Sequence, residues 1–181
     1  MNLLGKKIKT GLLAIITLAV VAIGCEAIRD LKTFEIDYDT TVQIPSSSVF
    51  GGLVESPPRD IETNTKTELE RNDTKSKWVK SIFLEEMTAT IESGDSDFDF
   101  LNSIEIFVSA EGLEEVRLAS LFDVPQNVTK IDLNPGDCNL KSYFKKGAIS
   151  IRSVANASNN SAVTIDVDMV FEVEARIKLF N

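Results

Sequence analysis

The last segment of the chain constrains the fold more than any other. Apolar side chains occupy every second position from Val163 to Leu179, and all but one of the intervening residues are polar or charged. A strand points successive side chains to opposite faces, whereas a helix would scatter these apolar residues around its circumference. The segment is therefore predicted to be a long β-strand with one face in a core and one face in water.

Shorter segments with strand-like patterns precede this one. Phe34, Ile36 and Tyr38 alternate with acidic residues, and Glu85-Glu86 interrupts a second pattern where we expect a kink or bulge. Several strands separated by turn signals, without alternation of helix and strand, favour antiparallel sheets over a parallel α/β fold. The predicted strands are 34–44, 80–91, 104–108, 116–121, 131–133, 148–154 and 163–179.

Few segments are predicted to lie outside the strands. Residues 45–60 contain three of the five prolines and are predicted to be a loop. Residues 61–77 are polar and allow either a long loop or a short helix around Leu69. Asp137 is expected to cap a second short helix that runs through Phe144.

These elements predict one folded domain over residues 34–181. The expected fold class is all-β: an antiparallel, immunoglobulin-like β-sandwich with one or two short helices, preceded by a cleavable signal helix. Of the 181 residues, 157 would remain after removal of residues 1–24. That length is enough for one domain with a sizeable core.

The first residues have the pattern of an export signal. Lys6, Lys7 and Lys9 give a positive start without any acidic residue, and an apolar run follows from 11 to 23. This pattern is typical of a secretory signal peptide. The run is shorter than the roughly 20 apolar residues that a membrane-spanning helix needs, and no other stretch of the sequence is apolar for long enough.

The apolar run ends in Ala22-Ile23-Gly24-Cys25, which resembles the lipobox of bacterial lipoproteins. The resemblance implies cleavage ahead of Cys25 and attachment of a diacylglycerol to its thiol. Ala22 departs from the leucine usual at that place, and the resemblance covers only the first 25 residues. Two acyl chains are what stable anchoring requires. The alternative is an ordinary signal peptide cut nearby, which would leave Cys25 as a plain thiol.

The resemblance divides the chain into a signal peptide (1–24), a lipid-proximal linker (25–33) and the folded domain (34–181). It implies a lipid-anchored location in the cell envelope, with the outer membrane favoured. The membrane is then a partner through the lipid on Cys25, and another envelope protein is a possible second partner.

The order of elements from Ile82 to Asn181 is similar to that of small β-sandwich lipoproteins of bacteria, most of them uncharacterised. This second resemblance implies a fold and a location in the cell envelope, and it implies no activity. It depends on Asp99-Phe100-Leu101-Asn102-Ser103-Ile104, Gly112-Leu113, Asn139-Leu140 and Tyr143-Phe144.

The charge of the chain excludes one class of partner. The formal charge is −9, and loss of a signal with three lysines and no acid would change it to −12. Such a surface repels phosphate backbones and anionic lipid, so nucleic-acid binding is not expected. We therefore expect the lipid, rather than electrostatic attraction, to hold the protein at a membrane.

The chain contains no histidine, and this absence removes much chemistry. Ser-His-Asp and Cys-His nucleophiles, His-ligated zinc and histidine pH switches all need that residue. With Cys25 lipidated, Cys138 has no partner for a disulfide or a thiolate metal site within one chain. Cys138 is therefore predicted to be a small buried apolar residue, and a reactive thiol is the minor alternative.

One acidic motif has the residue types of a calcium site. Asp95, Asp97 and Asp99 alternate in a predicted turn, and carboxylates are ligands that calcium prefers. An EF-hand loop that began at Asp95 would need glycine and glutamate where Phe100 and Ile106 stand, so that motif fails. The favoured interpretation is a solvated turn whose aspartates accept local backbone hydrogen bonds.

Other acidic residues allow weaker hypotheses. Glycosidases use two carboxylates across a sugar, but adjacent glutamates on a strand point to opposite faces, so neither Glu85-Glu86 nor Glu114-Glu115 forms such a dyad locally. Trp78 follows two lysines and is expected in the core, with an exposed binding position as the alternative. Four acids on the polar side of the last strand would make a stripe for a cationic partner or only a wetted surface: Asp166, Asp168, Glu172 and Glu174.

Three functions remain open at this stage. The first is a non-enzymatic, membrane-tethered module that binds or scaffolds an envelope protein, without a cofactor. The second is a ligand-binding module for an apolar small molecule, a glycan or calcium. The third and last is a carboxylate-based hydrolase, which needs two carboxyl groups that converge in a cleft.

Overall fold

The computed structural model describes residues 31–46, 52–158 and 162–176. Helices are few and short in this part of the chain: α1 (Thr65–Arg71), a 3-10 turn (Ser76–Trp78) and α2 (Lys141–Phe144). The strands are β1 (Leu31–Ile44), β2 (Gly52–Glu55), β3 (Arg59–Glu62), β4 (Val79–Ser93), β5 (Leu101–Ala110), β6 (Leu113–Phe122), β7 (Lys130–Pro135), β8 (Ala148–Ala157) and β9 (Val163–Arg176).

The strands form two antiparallel sheets. The front sheet has the order β1-β9-β4-β7, and the back sheet has the order β6-β5-β8-β2, with β3 also paired to β8. The predicted all-β antiparallel sandwich with two short helices is therefore confirmed.

Strand β7 joins the two sheets along one side. Its first part pairs with β4, where Leu133 lies opposite Met87. Its last two residues pair with β6, where Pro135 lies opposite Ala119. No strand of the described residues makes a comparable connection on the other side, where β1 ends the front sheet and the short β2 and β3 end the back sheet.

The core lies between the sheets and is continuous. The inward residues of β9 have almost no exposed surface, as the alternation in the sequence predicts. Phe171 of the front sheet and Ile104 of the back sheet belong to the same buried cluster. The rings of Tyr38 and Phe144 both pack against Phe171, with centroids 5.9 and 4.9 Å away.

One detail of the strands follows the sequence prediction and two do not. The pairing of β4 with β9 shifts register between Leu84 and Glu86, which confirms the predicted bulge. Strand β1 begins at Leu31, so residues 31–33 of the predicted linker belong to the sheet. Strand β8 continues past Val154 to Ala157, because both β2 and β5 pair with its end.

The loop predicted for 45–60 is wrong in part. Strands β2 and β3 lie there and pair with β8, and only Ser56-Pro57-Pro58 separates them. Both strands are four residues long and sit at a sheet edge, so no local apolar period marks them. Their formation depends on the neighbouring strand rather than on their own sequence.

The two helices also refine the predictions. Of the two alternatives for 61–77, the structure has the helix, α1, which Leu69 anchors in the core. The predicted cap of α2 is wrong: Asp137 is exposed, and the helix begins at Lys141. The Asn139 Oδ1 atom instead accepts hydrogen bonds from the backbone N–H groups of Lys141 (3.1 Å) and Ile82 (3.3 Å).

No helix within 31–46, 52–158 and 162–176 is long and apolar enough to cross a membrane. The predicted signal peptide and Cys25 lie outside the described residues.

Candidate functional site

The aspartates predicted as calcium candidates hold the turn after β4. Asp95 Oδ1 accepts from the Ser96 N–H at 2.8 Å, and Asp97 Oδ1 accepts from the Asp99 N–H at 3.1 Å. Asp99 Oδ1 accepts from the N–H of Asn127 at 2.6 Å and so connects two loops. The carboxylates therefore act as the sequence interpretation favours. The described residues contain no group of three or more metal-ligating side chains placed to hold an ion.

The polar side of the front sheet carries many more acids than the last strand alone. We call this surface the acidic face. Glu35 of β1 lies opposite Glu172 of β9, and Asp39 lies opposite Asp168. Like charges directly opposite on a sheet are destabilising. The acidic face comprises Glu35, Asp37, Asp39, Glu85, Glu86, Asp166, Asp168, Glu172 and Glu174.

Few cations offset this charge. Lys80 Nζ lies 3.2 Å from Glu174, and both side chains are partly exposed. Partial desolvation raises the pKa of Glu85, and the carboxylates of Glu35, Glu172 and Glu86 raise it further. The exposed ring of Phe83 lies opposite Glu172 in the same row as Glu35. An apolar ring therefore lies beside acidic residues on this surface.

The two residues of the pair Glu114-Glu115 have different roles. Glu115 receives a two-pronged contact from the Arg152 guanidinium, with N···O distances of 2.7 and 2.5 Å. The hydrogen bond from Arg152 keeps the pKa of Glu115 below its usual value. Arg152 also stacks on the Phe107 ring at 4.8 Å and contacts Glu55 at 3.3 Å. Arg152 is a residue of β8, so these contacts connect β2 and β6 to that strand.

Glu114 contributes through its backbone. Its carbonyl oxygen accepts a 2.7 Å hydrogen bond from the Tyr143 hydroxyl, which attaches α2 to the start of β6. Glu85-Glu86 lies on the front sheet, whereas Glu114-Glu115 lies on the back sheet. The two glutamate pairs are therefore not brought together in a cleft.

A cavity of about 510 Å³ lies at the end of the sandwich that carries the two helices. Its apolar wall consists of Leu69 from α1 and Phe144 from α2, and the hydroxyls of Thr63 and Thr65 are directed at the Phe144 carbonyl. Three lysines and one glutamate lie along its rim: Lys66, Lys75, Lys145 and Glu70.

A buried hydroxyl lies beneath this cavity. The Tyr38 hydroxyl is enclosed and makes no hydrogen bond of good geometry within the described part of the chain. Burial raises its pKa, the nearby Thr65 hydroxyl lowers it, and Glu68 raises it again. Since its ring also packs on Phe144 at 5.7 Å, Tyr38 connects β1 to α2.

Trp78 is not a core residue, so that expectation is wrong. Its side chain is half-buried and lies outside the buried cluster. The Nζ atoms of Lys75 and Lys77 lie 5.8 and 5.5 Å from its ring centroid. Cations at this distance are attracted to the face of an indole ring.

Cys138 is half-buried and packs against the core, so it is apolar in its contacts but less enclosed than predicted. A second cleft, of about 340 Å³, lies on the side of the sandwich that β7 does not close. Pro57 and Pro58 form one wall, and Val42 and Ile151 lie opposite.

Sequence reasoning did not find the lysine-rimmed cavity. Lys75 lies shortly before Trp78, whereas Lys145 directly follows α2. They lie more than 60 positions apart, and only the packing of both helices on the end of the sandwich brings them together.

No known protein family matches this chain, and no curated protein matches it. Among solved structures, the 60-mer BFDV capsid protein is similar over 84% of this chain and 96% of its own, with 10% identity and a TM-score of 0.44. The decameric form of that capsid protein matches 81% of this chain and 100% of its own, with 9% identity and a TM-score of 0.41.

A structure described as showing promiscuous specificity of carbohydrate-binding modules from the β-sandwich superfamily is also similar. It matches 85% of this chain and 58% of its own, with 13% identity and a TM-score of 0.30. These likenesses concern overall fold, and scores this low carry no argument about function.

Proposed function

We propose that this protein is a membrane-tethered lipoprotein of the cell envelope that binds or scaffolds another protein without catalysing a reaction. The support for the tether is the lipobox-like Ala22-Ile23-Gly24-Cys25 after a charged and apolar leader. The support for protein binding is the outer edge of β1.

Strand β1 is a long edge. Its 14 residues pair with β9 on one side, and no strand within the described ranges pairs with the other side. An edge of this length presents a row of backbone N–H and C=O groups that can accept a further strand. Addition of a partner's strand to such an edge is a recurring mode of recognition.

The side chains of β1 select against self-association. An antiparallel second copy centred on Asp37 would place Glu35 opposite Asp39 and Asp37 opposite itself. Acids on an edge strand prevent such pairing. They favour instead a strand whose exposed alternate positions carry lysine or arginine, because opposite charges across a strand pair stabilise it.

The test is co-purification from gently solubilised membranes, with partners identified by mass spectrometry. We expect a stoichiometric partner with the native chain and its loss from the variant Asp37→Lys/Asp39→Lys. The matched control is Asp60→Lys/Glu62→Lys, which makes the same charge change on β3. Retention of the partner by the first variant, or its loss from both, would contradict binding at β1.

The tether has its own test. Cys25→Ala should abolish acyl labelling and release the protein from membranes into the soluble fraction. The control is Cys138→Ala, which removes the other cysteine and should leave labelling and membrane association unchanged. Persistent membrane association of Cys25→Ala would contradict the lipid anchor.

A second function is favoured by one observation, the helix-end cavity with its Leu69 and Phe144 wall. Its size lies in the range of small-molecule sites, and its apolar wall suits an apolar ligand better than a glycan or calcium. Titration with a fluorescent fatty acid tests this alternative. Ser76→Trp at the rim should block uptake, whereas Ser96→Trp in the distant turn should not.

A further inference from the structure

We infer that the end of the sandwich around Trp78 docks on an anionic lipid surface. This inference rests on the proposed lipid anchor and adds a second, electrostatic contact to it. We call the contact surface the lysine end; it comprises Lys66, Lys75, Lys77, Trp78 and Lys145.

The lysine end is a local reversal of the charge of the protein. Its four lysine side chains are exposed. Lys66, Lys75 and Lys145 surround one cavity with a single acid, Glu70, on the same rim. The neighbouring Glu68 forms an ion pair with Arg71, whose Nη1 lies 2.6 Å from Glu68 Oε1. The chain as a whole has a net charge of −9, but this part of its surface therefore attracts anions.

The tether reaches the fold at this same end. Leu31, the first residue of β1, lies opposite Arg176, and the adjacent Ala175 lies opposite Val79, which directly follows Trp78. Lys32 Nζ donates a 3.3 Å hydrogen bond to Asn72 Oδ1 at the end of α1. The start of β1 and the lysine end are therefore neighbours.

The length of the tether keeps them near the bilayer. Cys25 precedes Leu31 by only six positions, and six residues span at most about 20 Å when fully extended. A lipid on Cys25 would hold this end of the sandwich toward the membrane. The acidic face runs along the flank of the front sheet, where β1 and β9 lead away from that end.

The side chains suit the interface between lipid and water. Tryptophan concentrates at that interface because its ring is apolar and its N–H is polar. Lysines near a membrane are attracted to anionic headgroups. Leu31 is 48% exposed at the same end and adds apolar surface. The two acyl chains on Cys25 would supply stable attachment by themselves, and the lysines would add a separate electrostatic contact with anionic headgroups.

The sole tryptophan makes the experiment direct, because all indole emission of the chain comes from Trp78. The lipidated chain, isolated in detergent, is reconstituted in vesicles of phosphatidylcholine with and without phosphatidylglycerol. Part of the phosphatidylcholine is brominated so that it quenches nearby indole. We expect quenching several-fold stronger with phosphatidylglycerol, and a fall to the phosphatidylcholine level in high salt.

A matched pair of variants assigns the effect to the lysine end. Lys75→Gln/Lys77→Gln/Lys145→Gln should lose the quenching that depends on phosphatidylglycerol. Arg59→Gln/Arg117→Gln/Lys130→Gln removes the same charge from other surfaces and should keep it. Equal quenching in both variants would overturn the inference.

The remaining outcomes separate the inference from the anchor. If the protein floats with vesicles while Trp78 stays unquenched, the docking is overturned and the anchor stands. If the protein does not float with any vesicles, both are overturned. If soluble glycerol 3-phosphate shifts the Trp78 emission and vesicles do not quench it, the lysines form a small-anion site and the docking is overturned.

Discussion

Glu35 of β1 and Glu172 of β9 lie directly opposite each other on the exposed side of the front sheet. Two carboxylates in this position repel each other, and the described residues place no arginine or lysine between them. The repulsion lowers the stability of the unbound protein. A cationic partner on β1 would relieve it.

Glu35→Gln should therefore stabilise the isolated domain. The expected gain in the free energy of unfolding is roughly 0.5 kcal/mol, the size typical of a cross-strand pair. Urea unfolding at low ionic strength measures it, and added salt should reduce the gain. Asp60→Asn on β3 removes one acid elsewhere; a gain of equal size there would show that net charge, and not the pair, is the cause.

The raised pKa of Glu85 gives a pH-dependent prediction. The folded protein binds this proton more tightly than the unfolded chain does, so protonation stabilises the fold at low pH. That contribution is lost as pH rises through the raised pKa. Glu85→Gln should melt at a higher temperature than the native protein at neutral pH, and the difference should shrink below the usual value of 4.5. A difference that is constant with pH would contradict the assignment.

Arg152 and Glu115 should be energetically coupled. Both side chains are partly exposed, so we expect a coupling of only about 1 kcal/mol from the cycle Arg152→Ala, Glu115→Ala and the double variant. The pKa of Glu115 is lowered, so its contribution is present at neutral pH and is lost as pH falls through that lowered pKa. The same cycle repeated in acid should show little coupling.

A buried serine pair predicts changes of opposite sign. Ser153 is 1% exposed, and its hydroxyl has no partner among the described residues, whereas the Ser56 hydroxyl accepts the Ser153 N–H at 2.8 Å. Ser153→Ala should stabilise the protein by about 1 kcal/mol, and Ser56→Ala should destabilise it by a similar amount. Chemical unfolding of both variants checks the signs.

Two glycines with positive φ separate dihedral strain from steric conflict. A Cβ on Gly94 (φ +99°) would lie 2.5 Å from the Ala162 carbonyl oxygen, whereas a Cβ on Gly147 (φ +83°) meets nothing within 4 Å. Gly147→Ala should cost about 1 kcal/mol for the dihedral alone. Gly94→Ala should cost clearly more. Equal melting temperatures would mean that the turn before β9 can yield.

Much of the fold was predictable because the long strands are amphipathic. The alternation of β9 contains no turn or helix signal that would favour another local structure. Glu85-Glu86 marks the bulge of β4 because two adjacent acids interrupt an apolar pattern. Strands β2 and β3 were missed because four edge residues carry too little pattern. Asp137 was misassigned as a cap because α2 begins four residues later, at Lys141, whose backbone N–H donates to the Asn139 side chain.

The sequence by itself determined the antiparallel β class and the buried face of β9, and it predicts the lipid attachment at Cys25. Those properties follow from neighbours along the chain. Only the tertiary structure decided that Glu35 meets Glu172 and that Lys66, Lys75 and Lys145 share one rim. Strand order and helix docking bring together residues that are distant in sequence. The alternation of apolar and polar residues in a strand predicts which of its faces is exposed to solvent, but it does not predict which strand pairs beside it.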